Sequence, residues 1–91
     1  MKIERKNFNN ETKTFTFDVN VFEFLVKNLT DEDILVCFGD TFDNATSIKI
    51  PSYSSQIITE NLRQDTAEYM NNSVTVKATG EGEVEVQCLE Y

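Results

Sequence analysis

The residue types that most often carry catalysis are scarce in this sequence. It has 91 residues, two cysteines (Cys37 and Cys88) and no histidine. Nucleophilic Ser-His and Cys-His pairs need a base with a pKa near neutrality, and histidine is the usual one. Cys37 stands in an apolar run, where a cysteine behaves as a small apolar side chain. The sequence therefore predicts no catalytic residue, and we expect a protein that is not an enzyme.

Metal and cofactor sites are expected to be absent as well. Neither cysteine has a second cysteine nearby, so the usual zinc ligand sets cannot be assembled. The acidic stretches 31–33 and 40–44 offer oxygen ligands for calcium but lack the fixed ladder of an EF-hand loop. Aspartate and asparagine are common in turns, which accounts for the same residues. We expect no metal, no cofactor and no small-molecule substrate.

Charge narrows the choice of partners. The chain carries a net charge of −8, and such a body repels phosphate backbones, so nucleic-acid binding is not expected. Residues 1–13 differ, with four basic and two acidic side chains. They are interpreted either as a basic arm that docks on an acidic surface or as a frayed terminus. No apolar run has the length of a signal peptide or a membrane span.

The elements that must position any site are short β-type runs separated by turns. Residues 22–27 and 34–38 flank an acidic turn, which predicts an antiparallel hairpin. Residues 53–59 predict a further strand, with a bulge where Ile57 and Ile58 interrupt the alternation. Runs at 74–78 and 84–88 alternate strictly around glycines at 80 and 82, which predicts a terminal hairpin. A short helical turn is predicted over 62–70.

Together these features predict one all-β domain over residues 1–91. Its expected architecture is a small antiparallel β-sandwich of about seven or eight strands, Ig-like or jelly-roll-like, with one helical turn near 62–70. Both cysteines fall in predicted strands, so we expect them to be buried.

One local stretch resembles the segment that leads into strand F of immunoglobulin variable domains. Residues 62–69 (LRQDTAEY) carry this likeness, which implies a tyrosine corner at Tyr69. The sequence departs from that family because Asn71 stands where its second cysteine would be, and because it has no tryptophan.

A broader resemblance covers most of the chain. Residues 24–34, 48–51 (IKIP) and 76–86 resemble small virion-associated proteins of tailed phages and prophages. The shared order is strand, acidic turn, strand, Ile-Pro and a Val-rich Gly hairpin at the end. Such proteins decorate heads or lie at the head–tail junction or tail. The resemblance implies a location in the virion, or in the host cytoplasm during assembly, and it transfers no functional residue.

The function expected on these grounds is a structural or interaction role in a phage or prophage particle. The partners would be further copies of the chain or neighbouring virion proteins. Two alternatives stay open at this point. One is a small acidic inhibitor that mimics nucleic-acid charge and blocks a basic host enzyme, and the other is a carbohydrate-binding module.

Overall fold

A computed structural model describes residues 2–59 and 71–89, and strands dominate both ranges. The six strands are β1 (Lys2–Val21), β2 (Glu23–Thr30), β3 (Ile34–Phe38), β4 (Ile48–Ile50), β5 (Ser54–Thr59) and β6 (Asn71–Leu89). A 3₁₀ turn (Asn44–Thr46) precedes β4. Every strand pair is antiparallel, so the predicted all-β antiparallel class is confirmed. The helical turn predicted over 62–70 lies outside the described residues, as does Tyr69.

The strands form one hydrogen-bonded sheet that is arranged as two leaves. β6 pairs with β1 along nearly its whole length on one side. On its other side, one half of β6 pairs with β2 and the other half with β3. Leaf A comprises residues 2–9 of β1, residues 81–89 of β6, β2 and β5. Leaf B comprises residues 11–21 of β1, residues 71–79 of β6, β3 and β4.

The long strands bend where the leaves meet. At ~3.3 Å per residue a straight strand of 19 residues would span about 63 Å, whereas the longest dimension of the molecule is 38 Å. The two ends of β6 come together, because Asn71 pairs with Val21 and Leu89 pairs with Glu23. β6 is therefore folded back on itself across the core.

Two hairpins predicted from the sequence are wrong. β2 and β3 do not pair with each other in the described chain, and lie end to end along β6. Residues 74–78 and 84–88 belong to one continuous strand, β6. Because no turn interrupts β6 between residues 78 and 84, the two strands expected there are one, and the described ranges hold six strands rather than seven or eight.

Two further expectations change with the register. β5 pairs regularly with β2 from Glu23–Thr59 to Asn28–Ser54, so the bulge predicted at Ile57 and Ile58 is wrong. Residues 2–13 form the first part of β1 rather than an arm that projects from the domain. Lys2 near the start of β1 forms an ion pair with Asp18 near its end, with Nζ and Oδ1 3.2 Å apart.

One apolar core lies between the leaves. Aromatic rings cross it, with centroids 6.1 Å apart for Phe8 and Phe15 and 5.9 Å apart for Phe17 and Phe24. The alternating side chains of β6 fill the rest, and all of them are buried: Val74, Val76, Ala78, Val84, Val86 and Cys88. Their inward orientation is as the alternation predicts.

A buried amide joins three segments at the bend. The Nδ2 of Asn28 donates to the carbonyl oxygens of Glu32, Ile50 and Pro51 at 2.9, 3.1 and 3.1 Å. Its Oδ1 accepts from the backbone N–H and the hydroxyl of Thr30 at 2.9 and 2.6 Å. Asn28 and Thr30 have no solvent exposure. The polar atoms at the centre of the bend are therefore satisfied inside the protein, as burial requires.

The glycines of β6 allow this strand to pass close to the end of β2 and the turn that follows it, near Asn28. The Asp31 N–H donates to the Glu81 carbonyl at 3.2 Å, and the Glu81 N–H donates to Asp31 Oδ1 at 2.9 Å. A Cβ at Gly82 would lie 2.5 Å from the Leu29 carbonyl oxygen, and its φ of +144° is one that other residues rarely adopt. Glycine is therefore required where β6 passes the end of β2.

We expect Gly82→Ala to destabilise the fold by about 3–5 kcal/mol, through backbone strain together with a clash against β2. Gly39→Ala is the matched control, since Gly39 also has a positive φ (+91°) but has no atom within 4 Å of the position that a Cβ would take. It should lower stability by only about 1–2 kcal/mol. Urea denaturation of both variants measures the difference, and equal losses would contradict a close approach between β6 and β2.

Asn28→Ala should lower the free energy of unfolding by about 3 kcal/mol, because it leaves several buried backbone groups without partners. Asn20→Ala, at an exposed position in β1, should change it by less than about 0.5 kcal/mol. Thermal and urea unfolding of the two variants check this expectation. A loss at Asn28 no larger than that at Asn20 would show that the amide does not hold the bend.

Candidate interaction surface

The outer face of leaf A carries three of the four large apolar residues that are exposed in the described chain. Four residues stand directly opposite one another on its successive strands: Ile3, Gln87, Leu25 and Ile57. Ile3 is 46% exposed and Ile57 is 54% exposed, and Leu29 on the same face is 42% exposed. The remaining large exposed apolar residue of the described ranges, Tyr53, immediately precedes β5 of this leaf. We refer to this surface as the leaf A face.

A row of paired charges crosses the middle of this face. Arg5 Nε lies 2.7 Å from Glu85 Oε1, and Lys27 Nζ lies 3.4 Å from Glu85 Oε2. Gln87 Nε2 donates to Glu85 Oε2 at 2.7 Å. Glu85 is almost completely buried beneath these side chains although it points outward. The hydrogen bond from Gln87, then that from Arg5, and the charges of Lys27 and Arg5 hold the pKa of Glu85 below its ordinary value, against an opposing effect of desolvation.

The corresponding face of leaf B is partly covered by the chain itself. In the loop of residues 39–47, the Asp43 N–H donates to Cys37 Sγ at 3.3 Å. The Thr75 hydroxyl donates to the Gly39 carbonyl at 2.9 Å, and Lys77 Nζ stands 5.5 Å from the centre of the Phe42 ring. The outward side chains Cys37 and Thr75 are buried as a result. The two leaves therefore differ in what their outer faces can contact.

The residues considered for chemistry in the sequence fall at separate places. Cys37 lies on β3 in leaf B and Cys88 on β6 in leaf A, and both are buried as predicted. Acidic residues 31–33 lie at the bend and 40–44 in the loop over leaf B. The described ranges contain no group of three or more His, Cys, Asp or Glu side chains placed to hold a metal ion. They also contain no helix with the length and hydropathy to span a bilayer.

The leaf A face is not predicted from the sequence, although a signal for it is present. A bulge at Ile57 and Ile58 would let both side chains point inward. The regular register instead buries Ile58 and exposes Ile57. Two adjacent apolar residues in an unbulged strand place one of them on the outer surface. This is the pattern of a strand that has apolar contacts on both faces.

Comparison with known proteins identifies no relative: no family model matches the chain, and no curated protein or solved structure shows significant similarity to it.

The charge row predicts a defined pH dependence. Because the folded-state pKa of Glu85 lies below its ordinary value of 4.5, its pairing stabilises the fold above that pH and is lost as the pH falls through the lowered value. Glu85→Gln should therefore be about 1–2 kcal/mol less stable than the natural chain near pH 7. The difference should shrink below pH 4.5, which urea titrations across pH 3–7 measure. A difference that stays constant with pH would rule out the ionised carboxylate as its source.

Proposed function

We propose that this protein is a non-enzymatic structural and interaction protein of a phage or prophage particle, and that it acts by docking. The supporting observation is the leaf A face, where Ile3, Leu29 and Ile57 are exposed together on a continuous sheet. Exposed apolar side chains that cluster on one face are typical of an interaction surface. The overall resemblance of the sequence to small virion-associated proteins suggests the kind of assembly.

Docking on this face would be driven by burial of aliphatic surface. Full burial of each isoleucine or leucine contributes roughly 1.5–3 kcal/mol, while association carries an entropic cost of several kcal/mol. A single contact of this kind is weak, but a symmetric particle holds many copies and multiplies such contacts through avidity. The surface suits a component that binds within an array.

The charge distribution supports protein partners over nucleic acid. The chain carries −8 overall, whereas Arg5 and Lys27 on the leaf A face are engaged by Glu85. No concentrated basic surface is left there for a phosphate backbone, which needs unpaired Lys and Arg contacts. We therefore propose that the partners are neighbouring virion proteins or further copies of the chain, in the virion or in the host cytoplasm during assembly.

Mass spectrometry of purified particles tests this function. In particles made from the genome that encodes the chain, we expect the protein in a fixed ratio to the major capsid protein. Ile57→Glu introduced into the gene should lower that ratio, because it places a carboxylate in the apolar row of the docking face. Thr12→Glu, at an exposed position on the outer side of leaf B, is the matched control and should leave the ratio unchanged.

Absence of the protein from complete particles would contradict a structural role. The inhibitor alternative makes a different prediction for affinity capture from host extract. It requires a basic enzyme whose binding weakens steeply as salt rises from about 50 to 500 mM, as screened charge contacts do. An apolar docking contact should change little over that range.

A further inference from the structure

We propose that the partner on the leaf A face is a second copy of this chain, packed face to face about a twofold axis that runs along the strands. The inference rests on the docking role proposed above and specifies its surface and partner. It is carried by the arrangement of side chains across the four strands of leaf A, whose order is β1, β6, β2, β5.

The arrangement is self-complementary under that axis. A twofold rotation about a line parallel to the strands keeps each row of side chains at its level and exchanges the strands, so that β1 covers β5 of the second copy and β6 covers its β2. Ile3 and Ile57 stand at the two ends of one row. Each would therefore meet the other across the interface, and the two most exposed isoleucines would be buried together.

The charges fit the same arrangement. One row further along the strands, Glu85 on β6 and Lys27 on β2 are opposite each other within one copy. Exchange of β6 and β2 places Lys27 of the second copy over Glu85, whose carboxylate is paired with Arg5 and Lys27 of its own copy. Lys27 therefore faces a paired carboxylate rather than another cation. The whole face holds two cations, Arg5 and Lys27, and four carboxylates, at positions 23, 81, 83 and 85. Its net charge is therefore −2 in a chain of charge −8, so two such faces repel each other less than the rest of the chain would.

The size of the face sets the expected strength. Four strands spaced ~4.8 Å apart and eight residues long cover about 500 Å². Two copies would bury roughly 1,000 Å², which is at the lower limit for a specific protein interface. The dimer should therefore be weak, with a dissociation constant on the order of 10–100 μM. An interface of this strength suits subunits that are held in place by several neighbours.

The fold also explains why leaf B does not offer a second face for the dimer. Part of the outer side of leaf B is packed beneath residues 39–47, which bury Cys37 and Thr75. The part that stays exposed carries polar side chains such as Thr12, Thr16 and Lys77. Only leaf A, within the described chain, presents exposed isoleucines at both margins of a sheet. A stack of two leaf A faces would give layers of leaf B, leaf A, leaf A and leaf B.

Sedimentation equilibrium of the purified full chain tests the dimer at concentrations from about 5 μM to about 0.5 mM, which bracket the expected affinity. The natural chain should shift from monomer to dimer over this range. Ile3→Glu and Ile57→Glu should each weaken the dimer at least tenfold, since each places a carboxylate against the other isoleucine position. Thr12→Glu adds the same charge on the outer side of leaf B and should leave the dissociation constant within about twofold.

Crosslinking tests the direction of the axis. Packed sheets are ~10 Å apart, too far for a direct disulfide, so a bismaleimide with a span of about 10 Å is suitable. Ile3→Cys mixed with Ile57→Cys should give a crosslinked dimer, whereas either variant alone should give much less. Circular dichroism confirms that each variant is folded before it is used.

Two results would overturn the proposal. One is a natural chain that stays strictly monomeric at about 0.5 mM. The other is Ile3→Cys alone crosslinking as well as the mixture, which requires a different axis. Neither result bears on whether the protein is present in particles. Conversely, if the protein is absent from particles but forms this dimer, the dimer proposal holds and the virion role is wrong.

Discussion

The buried amide of Asn28 is the interaction on which the shape of the domain depends. It lies near the end of β2 and donates to carbonyl groups in the turn between β2 and β3, at the end of β4 and in the turn after β4. Those segments change direction together because one side chain satisfies polar atoms from each of them. The absence of a side chain at Gly82 lets β6 pass the same point. A bend shared by several neighbouring strands converts a single sheet into two leaves around a core.

This bend also determines which surfaces remain for contact. Each long strand contributes to both leaves, so neither leaf could fold without the other. The loop of residues 39–47 then returns across leaf B, and its backbone buries the thiol of Cys37. No equivalent described segment crosses leaf A, where the pairing of Glu85 with Arg5 and Lys27 keeps the centre of the face ordered. Within the described residues, the asymmetry between the leaves follows from chain connectivity, because the loop of residues 39–47 connects two strands of leaf B.

Hydrophobic alternation correctly predicted most strands and the side chains that point inward. It did not predict which strands pair with each other. On β6 the inward positions are even-numbered on both sides of Gly80 and Gly82. A five-residue hairpin loop and a bent continuous strand both preserve that phase, so periodicity alone could not separate them. The pairing of β6 with β1 and β2 distinguishes the two possibilities, and both strands are distant from β6 in sequence. The contact face depended on the register of β5 with β2, which also involves residues far apart in the chain.

The central position of β6 has a consequence for how the protein must be made. β6 is translated after the other five strands, yet β1, β2 and β3 all pair with it. Before β6 is made, the pairs β2–β5 and β3–β4 have no strand that joins them, and β1 lacks its partner in the sheet. The complete sheet can therefore form only after β6 has been synthesised, and most of its contacts are long-range, which slows folding. Until then, unpaired strand edges and exposed apolar side chains favour aggregation.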